Sequence, residues 1–270
     1  MWMLRPLPNR ALKPSQLLSF GKKLFGKIRV DAPDKLPVEL GFRIRGAGMS
    51  RIDVFSDVVF GLALVLLVLS LAVPKNHGDL HESIPGFVPF AVCFVMLIAV
   101  WFSHYTFFRR YGLHDQFTII LNSGLLFVVL FCVYPLKILV STISLYLFRD
   151  SSPSRFTATV QINGVLALYA LGFTVAFFLV AALYWNAWRQ RGALGLNGLE
   201  RLLTVSSIVD ALGLAAIGLI SALAGLILPP SWSVYSASLY FLIAPWKTLN
   251  GLYFGHKART LQKLVAAPTL

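Results

Sequence analysis

Six polar residues sit inside or at the edge of long apolar runs and could do chemistry there: Ser56, Asp57, Trp101, His104, Asn122 and Asp210. A charge at the centre of a bilayer costs about 2.5 to 3.5 kcal/mol on insertion scales, so each carboxylate needs a partner or a task. Carboxylates and imidazoles are the groups from which intramembrane proton and ion relays are built. The same groups can instead serve only to fasten helices, through interhelical hydrogen bonds worth about 1 kcal/mol each. No other chemistry stands out. There is no metal-binding cluster, no phosphate loop, no GxGxxG and no Ser/His/Asp order that survives placement on helices, so no cofactor is implied. The chain reads as a non-enzyme. Cys93 and Cys132 each lie in an apolar run and read as packing residues.

The elements that must position these residues are membrane helices. Of 270 residues 57% are hydrophobic and 13% charged, with a mean hydropathy of +0.73, a composition that excludes an ordinary soluble domain. About 20 apolar residues cross a hydrocarbon core of roughly 30 Å, and six segments meet that test. They are residues 52–74, 84–106, 116–145, 158–186, 202–228 and 232–255. The expected fold is all-α and multi-pass, with Pro135 as a cause for a kink in the third span and Lys137 snorkelling to the outer interface. The first long apolar run begins near residue 52 behind a basic stretch, which predicts an anchor rather than a cleavable signal.

A net charge of +13 could indicate a nucleic-acid partner, but its distribution follows the positive-inside rule. The first 51 residues carry eleven Lys and Arg; Arg109, Arg110, Arg189, Arg191, Arg201, Lys257, Arg259 and Lys263 fall on the same side of the predicted spans. That places both termini in the cytoplasm and makes lipid, not nucleic acid, the partner of the basic residues. Residues 1–50 read as a separate basic segment, an interfacial helix or a disordered tail; 51–256 form the membrane domain, and 257–270 a short tail. The glycines of GALGLNGLE at 192–200 read as a tight connection.

On this topology the polar residues share one layer near the cytoplasmic side. Asp57 lies about 9 Å along its helix from Arg51, Asn122 about 10 Å from Asp115 and Asp210 about 13 Å from Arg201. Ser56, Asp57, His104, Asn122 and Asp210 could therefore meet in one hydrogen-bonded knot, with Arg51 as charge partner. On the first helix Leu62, Val65, Leu69 and Val73 form a narrow apolar stripe, and Asp57 stands roughly 140° from Leu62, so it could point into the bundle.

Arg51, three residues, then Phe55-Ser56-Asp57 at the start of the first span resembles the signature of the transmembrane protein 175 family of potassium channels, known from lysosomes and, in single-repeat form, from prokaryotes. VVFGLALVLLVLSLAVP after it, Trp101 and His104 in VWFSHYTFFRR, and Asn122 in IILN extend the resemblance. It implies a cation channel without a TVGYG filter, assembled as a homotetramer with four first helices around the pore, in the cell membrane of a prokaryote or an organelle of a eukaryote. It implies constricting rings at Leu62, Val65 and Leu69, and a network of Arg51, Phe55, Ser56, Asp57, Trp101, His104 and Asn122 that holds the pore helix. Prokaryotic relatives typically place threonine in the middle ring where this chain has Val65, which implies weaker potassium selectivity and makes proton passage more credible. Two other readings stand beside the potassium channel. One is a proton channel or secondary transporter using Asp57, His104 and Asp210; the other is a noncatalytic membrane scaffold.

Overall fold

The computed structural model describes residues 36–39, 41–69, 77–133, 154–228 and 234–266. Val73, Pro135, Lys137 and the basic segment up to residue 35 lie outside them. The described chain is a helical bundle with one small hairpin: β1 (Val38–Glu39), β2 (Phe42–Arg43), α1 (Arg51–Leu69), α2 (His77–Tyr111), α3 (Gln116–Val133), α4 (Ser154–Arg189), α5 (Gly198–Ile227), a 3₁₀ helix (Val234–Leu242) and α6 (Ile243–Ala266). Five helices contain stretches long and apolar enough to cross a membrane: Arg51–Leu69, Phe90–Tyr111, Gln116–Val133, Leu166–Arg189 and Gly198–Ile227.

The sixth predicted span takes a divided form. Its first part is the 3₁₀ helix, and α6 begins two residues before Pro245. Proline lacks an N–H and fits the first helical turn, where that group has no intrahelical acceptor, so Pro245 marks a boundary instead of a mid-helix kink. At its other end α6 continues to Ala266, so residues 257–266 are its last turns and not a separate tail.

Helix starts are written locally. Ser50 Oγ accepts from Asp53 N at 3.2 Å while Asp53 Oδ2 accepts from Ser50 N at 3.1 Å, a reciprocal cap that opens α1. Asn197 and Glu200 do the same for α5, at 2.8 and 3.0 Å. Asp115 opens α3 by accepting from Thr118 N at 3.3 Å and Thr118 Oγ1 at 2.6 Å.

The core is centred on α4, which packs on α2, α3 and α5. Phe107, Phe108, Tyr111 and Tyr184 form its aromatic centre, and Tyr111 reaches Thr204 on α5 through a 2.8 Å hydroxyl contact. Trp246 brings α6 against α5 at Gly213, where a Cβ would lie about 2 Å from the indole. Small residues at such crossings let membrane helices approach closely. Cys93 and Cys132 are both free thiols lining a small apolar cavity of about 90 Å³.

Residues 36–50 depart from the expectation of a tail or interfacial helix. Phe42 and Ile44 are buried, and Phe42 meets Tyr111 edge-on with ring centroids 5.4 Å apart. Gly46 passes so close to the end of α2 that a Cβ would stand 2.2 Å from Phe108 O, and its own N–H bonds Arg109 O at 3.0 Å. The turn at Gly41 lies beside Leu199 and Gln262, so the hairpin and the last turns of α6 share one end of the bundle. The cause is charge. Glu39 is bonded to Arg109, whose guanidinium holds the Glu39 carboxyl below the usual carboxylate range, and Arg43 and Arg45 converge on Glu200.

Candidate functional site

Helix α1 packs on α2 and α3 through one narrow face, Ser56, Phe60, Ala63 and Leu67, spaced by four, three and four residues. Leu62, Val65 and Leu69 stand roughly 130 to 170° around the helix from the centre of that face. They are 49%, 55% and 73% exposed. Phe55 and Val58 share the exposed side, which is apolar beyond Arg51 at its start and Asp57 on its flank. One helix therefore has a bundle face that contains its buried polar atom and an opposite face that offers only hydrocarbon.

The expected single knot is two separate fastenings. In the first, Ser56 Oγ donates to Ile52 O at 2.8 Å, which commits its one hydrogen. It must then accept from Asn122 Nδ2, at 2.9 Å, and this turns Asn122 Oδ1 towards His104 Nε2, also at 2.9 Å. His104 Nε2 is therefore the protonated nitrogen. Its Nδ1 is buried with no hydrogen-bond partner among the described residues. The ring lies between Phe60 and Phe108, with centroids 5.5 and 4.7 Å away. All donors in this chain point one way and end on a backbone carbonyl.

The second fastening is Trp101 Nε1 donating to Asp57 Oδ1 at 3.0 Å, with the indole stacked on Tyr105 at 5.6 Å. Asp57 lies on the flank of α1 and is exposed, not turned into the bundle as expected, because it is one residue and 100° from Ser56. Arg51 forms no ion pair with Asp57 among the described residues. Six residues separate them, which is about 120° around the helix, so one cannot face the other. Phe55 is 60% exposed and likewise stands outside both fastenings.

Asp210 is also elsewhere. Its Oδ2 accepts from Lys247 Nζ at 2.7 Å, across the α5–α6 junction and away from His104. The sequence reading assigned it to the knot because depth alone was known; which side of α5 it occupies was not.

Two polar centres escaped the sequence reading. The Glu200 carboxylate accepts from Arg43 and Arg45 while capping α5. The signal was present as Asn197 followed three residues later by Glu200, a capping box inside a stretch read for its glycines. Asp115 is the other: Asn186 Nδ2 and Gln190 Nε2 donate to it from α4 at 3.3 Å, which ties α3 to α4. No local pattern announces that pairing.

Among known proteins, the family described as endosomal/lysosomal potassium channel TMEM175 matches residues 51–133, which are α1 to α3 and hold both fastenings. A potassium channel of Marivirga tractuosa is 38% identical over 232 residues, covering 82% of this chain and 93% of that protein. A potassium channel of Streptomyces collinus is 30% identical over 145 residues, 52% of this chain and 64% of that one. The crystal structure of a point variant of the potassium channel MtTMEM175, bound to a nanobody–MBP fusion, superposes with a TM-score of 0.66 at 35% identity. It is covered in full by 82% of this chain. A TMEM175 homologue from Chamaesiphon minutus shares the fold, with a TM-score of 0.53 at 21% identity. The chain is thus a multi-pass membrane protein of the TMEM175 family of potassium channels, and not an enzyme.

Proposed function

We propose that this chain is one subunit of a passive, potassium-permeable channel in which copies of α1 surround the pore. Four subunits make the assembly, as the family resemblance implies, and Leu62, Val65 and Leu69 form its successive rings. The observation that carries the reading is the two-faced α1: its bundle face is fastened by hydrogen bonds, and its opposite face is apolar and left exposed by the described residues. A ring of leucines closes a pore by dewetting, and a cation passing it must rearrange its water, which costs less for potassium than for sodium. Val65 offers no hydroxyl to a passing ion, so potassium preference here is modest.

The basic bundle end, with Arg43, Arg45, Arg109, Arg110 and Arg201, faces the cytoplasm on this reading. A proton relay draws no support from His104. A proton on Nδ1 would leave a buried cation with no acceptor among the described residues. The test is ion flux from liposomes holding the purified chain under a potassium gradient. Expected is passive potassium efflux that persists in Asp57→Asn and in His104→Gln proteins that still assemble. No efflux from the wild type overturns the channel reading; loss of efflux in both assembled variants restores the relay.

A further inference from the structure

A gap of about 270 Å³ opens on the flank of the bundle, walled by α2 and α6 and floored by α4 and α5. Tyr111, the last residue of α2, bonds Thr204, so the end of α2 is level with that turn of α5. Asp210 lies six residues further along, about 9 Å deeper, and Phe102 lies eight residues and about 12 Å from Arg110. The gap thus runs inward from the basic end of the bundle. Arg110 and Ser207 lie towards that end, the Asp210–Lys247 pair lies deeper, and the 59% exposed Phe102 ring stands at the deeper margin.

Three charges line it: Arg110, Lys247 and Asp210, a formal sum of two positive and one negative, or +1. Lys247 neutralises Asp210. Arg110 is different. Its guanidinium lies 5.1 Å over the Phe42 ring, and its described hydrogen bond is one long contact, 3.5 Å, to Ser207 Oγ. A guanidinium carries five N–H donors, so most of this one's capacity is left for the gap.

Hydrocarbon chains filling a lateral gap of this kind would leave those groups desolvated and unpaired, which membrane proteins avoid. The occupant must be polar towards the basic end, bear negative charge for Arg110, and be apolar where it meets Phe102. We infer that the gap holds the phosphodiester of an anionic phospholipid, with Arg110 donating to the phosphate and the acyl chains leaving over Phe102. Arginine matches phosphate through paired N–H donors, and basic gaps between helices at the cytoplasmic side suit such headgroups. The volume equals that of about nine waters, enough for a phosphodiester and its glycerol.

Native mass spectrometry of the full chain, reconstituted with equal amounts of phosphatidylglycerol and phosphatidylcholine, tests this. Expected is preferential retention of phosphatidylglycerol, lowered about tenfold in Arg110→Gln, the loss of one charge-assisted contact pair. Arg110 also supports Phe42, so Gly251→Leu is the second variant. A Cβ at Gly251 meets nothing within 4 Å, and a leucine there fills the mouth while leaving every charge in place. It too should shed the lipid while eluting as wild type on size exclusion. Equal retention of the two lipids, or unchanged phosphatidylglycerol binding in Gly251→Leu, overturns the proposal. Displacement of the lipid by inorganic phosphate alone would assign the gap to free anions and overturn the lipid assignment.

Discussion

Replacing Glu200 by Gln should release the hairpin that precedes α1. The carboxylate accepts from Arg43 N, Nε and Nη2, from Arg45 Nη1 and Nη2 and from Asn197 N, all between 2.9 and 3.2 Å. Its side chain is fully buried and that of Arg45 is 4% exposed. Glutamine keeps the volume and one acceptor oxygen, but turns an N–H₂ towards guanidinium groups that are themselves donors. Breaking a buried ion pair by removing one partner costs about 3 to 5 kcal/mol. Arg43 is 19% exposed and solvent can take up part of its charge, so the low end applies. About 3 kcal/mol is an increase of roughly 140-fold in the population of a locally opened hairpin, at about 1.4 kcal/mol per factor of ten. Hydrogen exchange in lipid nanodiscs reads this directly. The amides of Ile44, Arg45 and Gly46 bond to Pro37 O, Arg110 O and Arg109 O and should exchange faster by that factor, while those of Phe173 to Tyr184 in α4 stay unchanged. An increase below about threefold, worth roughly 0.6 kcal/mol, would mean that the arginines do not hold the hairpin and that the apolar contacts of Phe42 and Ile44 suffice.

Other variants address the proposed pore face and its fastening. Leu62→Ala should widen a ring and raise sodium relative to potassium permeation about tenfold, a change of ~1.4 kcal/mol in the difference between the two barriers, read as a shift in bi-ionic reversal potential; an unchanged potential removes Leu62 from the pore. Val65→Thr should move that potential the opposite way, since a hydroxyl ring can replace part of the ion's water; no change removes Val65 from the middle ring. Asn122→Leu leaves His104 Nε2–H and a hydroxyl lone pair unmet inside the bundle, which costs about 1 to 3 kcal/mol and should lower the thermal midpoint, whereas the exposed Asp57 carboxylate can turn to water after Trp101→Phe. Equal losses in these two variants would contradict the division into a buried and a peripheral fastening.

Much of this architecture was legible because a bilayer makes strong demands on sequence. Apolar length gave five of the six expected spans among the described residues, and the clustering of Arg109, Arg110 and Arg201 at one bundle end follows their loop positions. Depth along a helix was equally legible: Ser56, His104 and Asn122 do lie at one level and touch. Azimuth was not. In an apolar helix such as α1 the periodicity is too weak to say which side is packed, so Asp57 and Ser56, adjacent in sequence, could not be assigned to different sides. Asp210 failed for the same reason, and its partner Lys247 comes from a helix whose start depends on Pro245. Residues 38–46 failed for another: nothing in a basic stretch says that a single buried acid, 157 residues away from Arg43, will collect two of its arginines.

That remote acid ties the chain ahead of α1 to the far half of the bundle. The hairpin runs directly into α1, and its arginines are held by the first turn of α5, while α1 itself is held by α2 and α3 through Ser56, Asn122 and Trp101. Helix α1 is therefore gripped at its basic end from both halves of the bundle, by groups that need water or charge partners. Further along, the buried side chains on the described length of α1 are Phe60, Ala63 and Leu67, all apolar. Ser56 is hydrogen-bonded and buried while Leu69 is 73% exposed, so motion of the proposed rings should grow from Leu62 to Leu69. Site-directed spin labels at Leu62 and Leu69 in assembled channels test this: broader distance distributions at Leu69 support the lever, and equal widths at both positions would show that neighbouring subunits, not these fastenings, fix the helix.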